Sequence, residues 1–107
     1  MQPLPLEIEN IEEMRRQAGI QDEDLASEIR NLVIGDCVKV TLVSRTKPFG
    51  AETLLVRITG IRGTAFKGKL ARRPSSPGLS FLSAGASLTF QAAHIHSVPK
   101  MHVPDDS

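Results

Sequence analysis

A chain of 107 residues has room for one domain with one modest hydrophobic core. Its single cysteine, Cys37, excludes an internal disulfide and a zinc site built from several cysteines. No apolar stretch approaches the ~18–20 residues that cross a bilayer, and the chain start lacks the basic and apolar regions of a signal peptide. We therefore expect a cytoplasmic protein without a membrane partner.

The charges are sorted along the chain. Residues 1–32 carry eight carboxylates and three arginines, a net charge of −5, whereas residues 33–103 carry two carboxylates and ten lysines or arginines, a net charge of +8. The formal charge of +1 for the whole chain hides this division. An acidic third joined to a basic remainder predicts a surface for an anionic partner, or an acidic segment that covers that surface.

Residues 7–33 predict an acidic helical hairpin. Asn10 and Glu13 form a capping box at the start of a first helix. A second helix starts near Asp22 and ends before Gly35. Its apolar positions follow helical spacing: Leu25, Ala26, Ile29, Leu32 and Val33. Two short helices cannot bury such stripes alone, so we expect the hairpin to pack on the rest of the chain.

Over residues 34–98 the apolar period changes to two, which predicts strands. The alternation recurs four or five times, with a tight turn at residues 60–63 and a proline-containing loop at residues 72–80. The predicted fold is therefore α+β: one domain in which the helical hairpin precedes a small antiparallel barrel or curled meander. An extended arm over the first six residues and a flexible tail at residues 99–107 complete the prediction.

The outward side of three successive predicted strands is basic. Placing the apolar residues inside leaves a basic set outside or on the next loop: Lys39, Arg57, Lys67, Lys69, Arg72 and Arg73. Thr41 and Thr59 share the outward positions. One interpretation is a groove for a phosphate backbone or another polyanion. The other is a solvated face that opposes the acidic helices of the same chain.

Two further features bear on phosphate binding. The loop at residues 72–78 combines two arginines with backbone amides that suit phosphate oxygens, although a flexible solvated loop is the favoured interpretation. The chain has no Trp and no Tyr, and only Phe49 and Phe81 fall in loops. Because single-strand readers stack bases on exposed aromatic rings, a duplex backbone or an acidic protein is the better anionic partner.

Residues with catalytic or metal-binding chemistry are few: His94, His96, His102, Cys37, Asp36 and Glu52. The first two histidines lie two residues apart, but a metal site needs a third ligand, so structural histidines are favoured. The sequence places no base beside the cysteine, and no acid–base motif surrounds either carboxylate. We therefore predict that the protein is not an enzyme and holds no metal or cofactor.

Four segments follow a common pattern: residues 35–40 (GDCVKV), 56–61 (VRITGI), 66–70 (FKGKL) and 82–90 (LSAGASLTF), closing on His94 and Ile95. Over about residues 32–98 this pattern resembles a group of small bacterial barrel domains of unknown function. Some of their relatives are assigned as immunity proteins against polymorphic toxins. The resemblance implies an SH3-like barrel. Leu54 and Leu55 stand where that group usually carries an aromatic residue, so no partner is carried over.

The residues and the resemblance together predict a non-catalytic binding module. The favoured partner is a protein, in an adaptor or immunity-type role, bound through the barrel face or the helices. The alternative is a nucleic acid whose phosphates contact the six basic residues. The stripe of Leu25, Ile29 and Leu32, or an unpaired barrel edge, would also support a dimer.

Overall fold

The computed structural model describes residues 6–45 and 47–99. The elements in chain order are β1 (Leu6–Ile8), α1 (Ile11–Gln17), α2 (Glu23–Arg30), β2 (Cys37–Ser44), β3 (Gly50–Arg62), β4 (Ala65–Leu70), β5 (Ser87–Gln91) and β6 (Ile95–Ser97). Two short 3-10 helices lie at Pro77–Leu79 and Ala92–His94. The predicted tail, except for residues up to Pro99, lies outside the described residues. In the described ranges, no helix is long and apolar enough to cross a membrane.

β2 is the strand on which the sheet closes. β3 pairs along the whole length of one edge of β2, from Cys37 opposite Arg57 to Ser44 opposite Gly50. On the other edge, β1 pairs with residues 42–44 and β6 with residues 39–40. Since β3, β4 and β5 follow as an antiparallel meander, the return of β6 to β2 makes a nearly closed barrel. The α+β class with a small barrel is confirmed.

The barrel core consists of the residues predicted to point inward. Those buried are Val38, Val40, Leu42, Leu54, Val56, Ile58, Phe66, Leu70, Leu88 and Phe90. Leu79 and Ile95, from the Pro77–Leu79 helix and β6, join the same cluster. Phe66 and Phe90 stack with their ring centroids 5.5 Å apart. Burial of apolar area at roughly 25 cal/mol per Å² makes this cluster the main source of stability.

Both helices begin at side-chain caps, of which the sequence predicts the first, at Asn10. Asn10 Oδ1 accepts a hydrogen bond from the Glu13 N–H at 2.9 Å. Asp22 Oδ1 accepts one from the Leu25 N–H, also at 2.9 Å. Each cap satisfies a backbone donor that the first helical turn leaves unpaired. The helix starts were therefore readable from local side-chain chemistry.

α2 is shorter than its apolar stripe. It ends at Arg30, so Leu32 and Val33 lie outside the helix that was predicted to contain them. Leu32 enters the barrel core, whereas Val33 is 59% exposed. The physical reason is a turn before β2, in which Asp36 Oδ2 accepts from the Val33 N–H at 3.0 Å.

The chain before α1 is a strand rather than the start of a helical hairpin. In β1, Leu6 and Ile8 are half-buried against the core and Glu7 is exposed. Glu7 Oε1 lies 3.0 Å from Arg45 Nη1. Alternation of this kind over three residues suits an added strand, and pairing with β2 satisfies its backbone.

The hairpin between β3 and β4 turns later than predicted. β3 continues through Gly60, and the turn falls at Gly63 and Thr64, between Arg62 and its pairing partner Ala65. Gly63 takes the left-handed φ of +61° that this tight turn needs. The prediction of a turn at residues 60–63 is wrong. A bulge between Ile58 and Gly60 shifts the register, and β3 continues to pair with β4 beyond it.

One predicted outward residue is buried. Thr41 is only 8% exposed, and its hydroxyl oxygen lies 2.8 Å from that of Thr53 on β3. The segment between β1 and α1 passes beside it, because the Glu9 N–H donates to the Thr41 carbonyl at 2.9 Å. Thr41 therefore contributes to sheet packing and leaves the outward set.

The helices lie against the last part of the barrel. α1 contacts β6 and the Ala92–His94 turn. Arg15 donates from its guanidinium to the His96 carbonyl at 3.1 Å. An ion pair of 3.7 Å joins Arg15 to Asp22, which caps α2. Close packing of the two helices on each other stays a prediction.

Candidate functional site

Four of the six predicted site residues lie together on the outer side of the barrel. Arg57 on β3 is directly opposite Lys69 on β4, and Lys67 lies two residues further along β4. Lys39 on β2 is opposite Leu55, which places it diagonal to Arg57. Direct neighbours in an antiparallel sheet are ~4.5–5.5 Å apart and diagonal neighbours ~7–8 Å apart. The four exposed cations therefore form one cluster across three strands.

Arg62 joins this cluster, although the sequence did not assign it. It pairs with Ala65, which lies two residues before Lys67 and on the same side of β4. The bulge between Ile58 and Gly60 shifts the register, so Arg62 shares the outward side. Gly60 was the only sequence signal for such a bulge. We call these five exposed residues the basic face: Lys39, Arg57, Arg62, Lys67 and Lys69.

The pairing partners of the basic face carry no charge that compensates it. Cys37 and Ser87 continue the row of Arg57 and Lys69, and Thr89 lies opposite Lys67. The ion pairs within residues 6–45 and 47–99 join Arg15 to Asp22, Arg16 to Glu13 and Arg45 to Glu7. None of these pairs includes the basic face. Its cations are thus available to an external anion.

The other two predicted site residues lie on the loop after β4. The Ala71 N–H donates to the Leu55 carbonyl at 2.9 Å, so the chain leaves the sheet just before Arg72. Arg72 and Arg73 are both exposed. Arg72 is close enough to Glu52 to contribute to the lowered pKa of that carboxyl. Arg72 and Arg73 therefore lie on the loop that follows the basic face, and Arg72 has a carboxylate of the same chain nearby.

Glu52 binds the backbone amides of the loop at residues 72–78, for which the sequence favoured a flexible solvated loop over a phosphate site. Its Oε1 accepts from the N–H groups of Ser75 and Ser76, both at 2.9 Å, and its Oε2 accepts from Ser75 at 3.1 Å. These backbone hydrogen bonds, Ser76 first and then Ser75, hold the pKa of Glu52 below its usual 4.5. The loop is also fixed by Leu79, which is completely buried. The amides of Ser75 and Ser76 are therefore bonded within the chain, to Glu52.

The two central histidines have structural contacts. His94 Nδ1 accepts from the Gln91 N–H at 2.9 Å, which caps the Ala92–His94 turn, and burial lowers the pKa of His94. His96 Nδ1 lies 3.1 Å from Ser97 Oγ. Among the residues the structure describes, no three His, Cys, Asp or Glu side chains come together as a metal site. His102 lies outside them, so the absence of a metal stays a prediction.

The remaining candidates for catalysis are Asp36, Glu52 and Cys37, and the two carboxylates have structural hydrogen bonds. Asp36 accepts a backbone hydrogen bond in the turn before β2, as Glu52 does in the loop after β4. Cys37 is a half-buried free thiol opposite Arg57. Both carboxylates therefore stabilise turns. That the protein is not an enzyme stays a prediction.

A second surface, which the sequence did not place, lies between the helices and the barrel. It is a cavity of about 610 Å³ whose lining includes Ile11, Leu25, Ile29 and Ala93. α2 contains no buried residue, so its apolar side faces this space. The helical stripe predicted which side of α2 is apolar. Spacing alone cannot tell whether such a stripe is covered.

Comparison with known proteins gives no match to this chain among protein-family models, curated proteins or solved structures. The resemblance to immunity-type barrel domains therefore stays a prediction.

Proposed function

We propose that the protein is a non-catalytic binding module whose basic face binds the phosphate backbone of a nucleic-acid duplex. The observation that carries this proposal is the cluster of five exposed cations, to which no carboxylate of the described residues is paired. Lysine and arginine side chains bind phosphates by displacing condensed counterions. Four to five such contacts give a slope of log K against log salt of about −3.6 to −4.5.

The character of the surface favours a duplex over a single strand. On the outward side of the sheet, threonine, serine and half-buried Leu55 lie beside the cations, whereas the rings of Phe66 and Phe90 are buried on the inward side. Phe49 and Phe81, which are 68% and 53% exposed, belong to loops outside these strands. Bases of a single strand would find no stacking platform here, whereas backbone phosphates need only the charges.

The position of the acidic helices also supports an open basic face. α1 contacts β6 and the Ala92–His94 turn rather than the strands β3 and β4 that carry most of these cations. The carboxylates Glu13 and Asp22 pair with arginines of the helical region itself. Within residues 6–45 and 47–99, no ion pair joins a helical carboxylate to the basic face, so masking by the acidic segment has no ion pair to support it.

The order of the barrel strands supports the finer classification as SH3-like. We base this classification on three features: the meander from β2 to β5, the short helix before β6 and the return of β6 to β2. Small barrels of this type commonly serve as binding modules. This part of the proposal is an analogy at the level of the fold.

Fluorescence anisotropy with mixed-sequence duplex DNA and RNA, from low to physiological salt, tests the proposal. We expect saturable binding with the steep slope given above and weaker binding to single strands. The double variant Arg57→Glu/Lys67→Glu should abolish it. The control Arg30→Glu/Lys47→Glu makes the same charge change at exposed positions off the basic face and should keep most of the affinity. No binding at low salt, or equal loss in both double variants, contradicts the proposal.

A further inference from the structure

The acidic helices carry a second surface that nucleic-acid binding does not use. In α2, eight residues long, no side chain is buried, and Leu25 and Ile29 are only half-buried. The apolar side of this helix lines two adjoining cavities of about 610 and 480 Å³. Ala26, Ile29 and Ala92 line both. A helix that packed fully on the barrel would leave no such space.

The floor of the two cavities is apolar and consists of residues of α1 and of the barrel. Ile11 and Ile95 line the larger cavity, and Phe66 lines the smaller one. These three side chains are at most 5% exposed, so the floor is rigid. At the other end of the larger cavity, Ile20 is 54% exposed. A groove with a fixed apolar floor is the kind of surface that takes the apolar side of an amphipathic helix.

The charge around the groove selects the partner. Glu12, Asp22 and Glu23 line the larger cavity together with Arg15 and Arg16. Both arginines are engaged within the chain: Arg15 with Asp22 and the His96 carbonyl, and Arg16 with Glu13 at 2.6 Å. Glu12 and Glu23 appear in none of the ion pairs of the described residues. Arg30 lines the smaller cavity and is likewise in none of these pairs. Two unpaired glutamates and one unpaired arginine leave a net charge of −1, so a cationic partner is complementary to it.

The same charge disfavours a second copy of the chain in a symmetric dimer. Two copies of this groove facing each other would bring Glu12 and Glu23 of one copy towards those of the other. Like charges brought together in this way oppose association. The occupant must therefore supply apolar side chains and positive charge at once.

We propose that the groove between α2 and the barrel, lined by Leu25, Ala26 and Ile29 and flanked by Glu12 and Glu23, binds a basic amphipathic helix of a partner protein. The apolar side of that helix enters the cavities, and its lysines or arginines contact the two glutamates. None of the five residues of the basic face lines this groove. It is the one that a protein-interaction role would use.

A synthetic peptide tests this without knowledge of the natural partner. The probe is a fluorescent helix of leucine and lysine, about 14 residues or four turns long, with the leucines on one side. A scrambled peptide of identical composition separates amphipathic docking from attraction by charge alone. We expect saturable binding of the amphipathic peptide to the full chain and at least a tenfold lower affinity for the scrambled one, on the order of one lost hot-spot contact.

Two pairs of variants on α2 locate the peptide. Ala26→Arg places a cation in the groove, and Ser27→Arg makes the same change at a neighbouring exposed position outside the cavity lining. Affinity should fall about tenfold in the first and remain within about threefold in the second. Glu23→Lys and Asp24→Lys form a second pair, in which only Glu23 lines the cavity. Far-UV circular dichroism should show that all four remain folded, since these positions are exposed.

Three results overturn the proposal. One is equal binding of the amphipathic and scrambled peptides. Another is equal loss of affinity in both members of each variant pair. The third is sedimentation equilibrium that reveals a dimer of the unmodified chain which Ala26→Arg dissociates, because that result assigns the groove to a second copy. None of these depends on nucleic-acid binding, so the two proposals fail separately.

Discussion

The barrel and the acidic helices differ in how their apolar residues are used. Along β2 and β3, the inward residues Val38, Val40, Leu42, Leu54, Val56 and Ile58 are at most 1% exposed. In α2, by contrast, no residue is buried at all. Stability should therefore be concentrated in the barrel, with the helices held mainly by their caps and by the contacts of α1.

The two regions also differ in how their charges are used. Two acids of the helical region have a local partner: Asp22 caps α2 and pairs with Arg15, and Glu13 pairs with Arg16. The basic face has no comparable internal partner, because Arg57 and Lys69 lie opposite each other and the other pairing partners are uncharged. Charge without an internal role is the better indicator of a binding surface.

Removal of a barrel side chain should have the largest effect. Phe90→Ala deletes a ring that is 1% exposed and stacked on Phe66, which should cost ~3–5 kcal/mol. The matched helix variant Ile29→Ala, at a half-buried position, should cost about 1 kcal/mol or less. Urea unfolding followed by circular dichroism measures both. Equal costs would show that α2 is packed as firmly as the barrel and would remove the contrast between the regions.

The next largest loss of stability is expected at Gly68, where β4 lies close against β3. A Cβ added at Gly68 would overlap Val56 Cγ1 and lie 2.8 Å from the Arg57 carbonyl oxygen, so Gly68→Ala should cost ~1–3 kcal/mol. Gly60→Ala is the control within the same sheet, because its added Cβ would meet only Lys67 Cβ, at 3.7 Å. A small change in the urea midpoint for Gly68→Ala would mean that β3 and β4 separate readily, and the barrel would then be less rigid than its burial implies.

Acid should weaken the loop that Glu52 anchors. Because the fold lowers the pKa of Glu52 from 4.5, the unfolded chain binds more protons, so its contribution is present above pH 4.5 and is lost as the pH falls through the lower folded value. His94, whose pKa is lowered from 6.5 by burial, loses its contribution in the same direction at higher pH. Glu52→Gln should therefore be less stable than the unmodified protein at neutral pH and match it at strong acid. Parallel urea midpoints across this range would show that the anchor contributes nothing.

The strand faces could be predicted because side-chain alternation is a local property of an extended chain. Leu54, Val56 and Ile58 follow from period two alone and are buried. Arg62 could not be predicted in the same way. The bulge before Gly60 reverses which residues face outward, and a residue pattern does not fix where a bulge forms.

The cap of α1 was predictable because it also depends on residues close together in the sequence. The contacts of the candidate surfaces were not predictable, because they join distant parts of the chain. Asn10 bonds to a residue three positions away, which sequence spacing can reveal. Glu52 bonds to amides 23 and 24 positions away, and these contacts depend on the course of a whole loop. The groove beside α2 depends on what remains uncovered after the barrel has closed, which is a property of the assembled fold.

Charge reversal on the basic face should have the smallest effect on stability. It tests directly whether the positive charges of this face lack a negative partner within the chain. Lys69→Glu places a carboxylate opposite Arg57, so it should raise the urea midpoint by an amount equivalent to ~0.2–1 kcal/mol. Lys39→Glu, opposite the uncharged Leu55 and Ser97, is the control and should gain less. The gain of Lys69→Glu should disappear in about 1 M salt, where charges more than ~3 Å apart are screened.

Destabilisation by Lys69→Glu at low salt would mean that the charge of this lysine is already balanced within the fold. The argument that the basic face binds an external anion would then fail. In the opposite case the same substitution should also weaken duplex binding, because it replaces one phosphate contact with a repelling carboxylate. A variant that is more stable and yet binds less shows that a cation is kept at this position at a cost to the fold. Such a cost is expected where side chains are retained for binding rather than for folding.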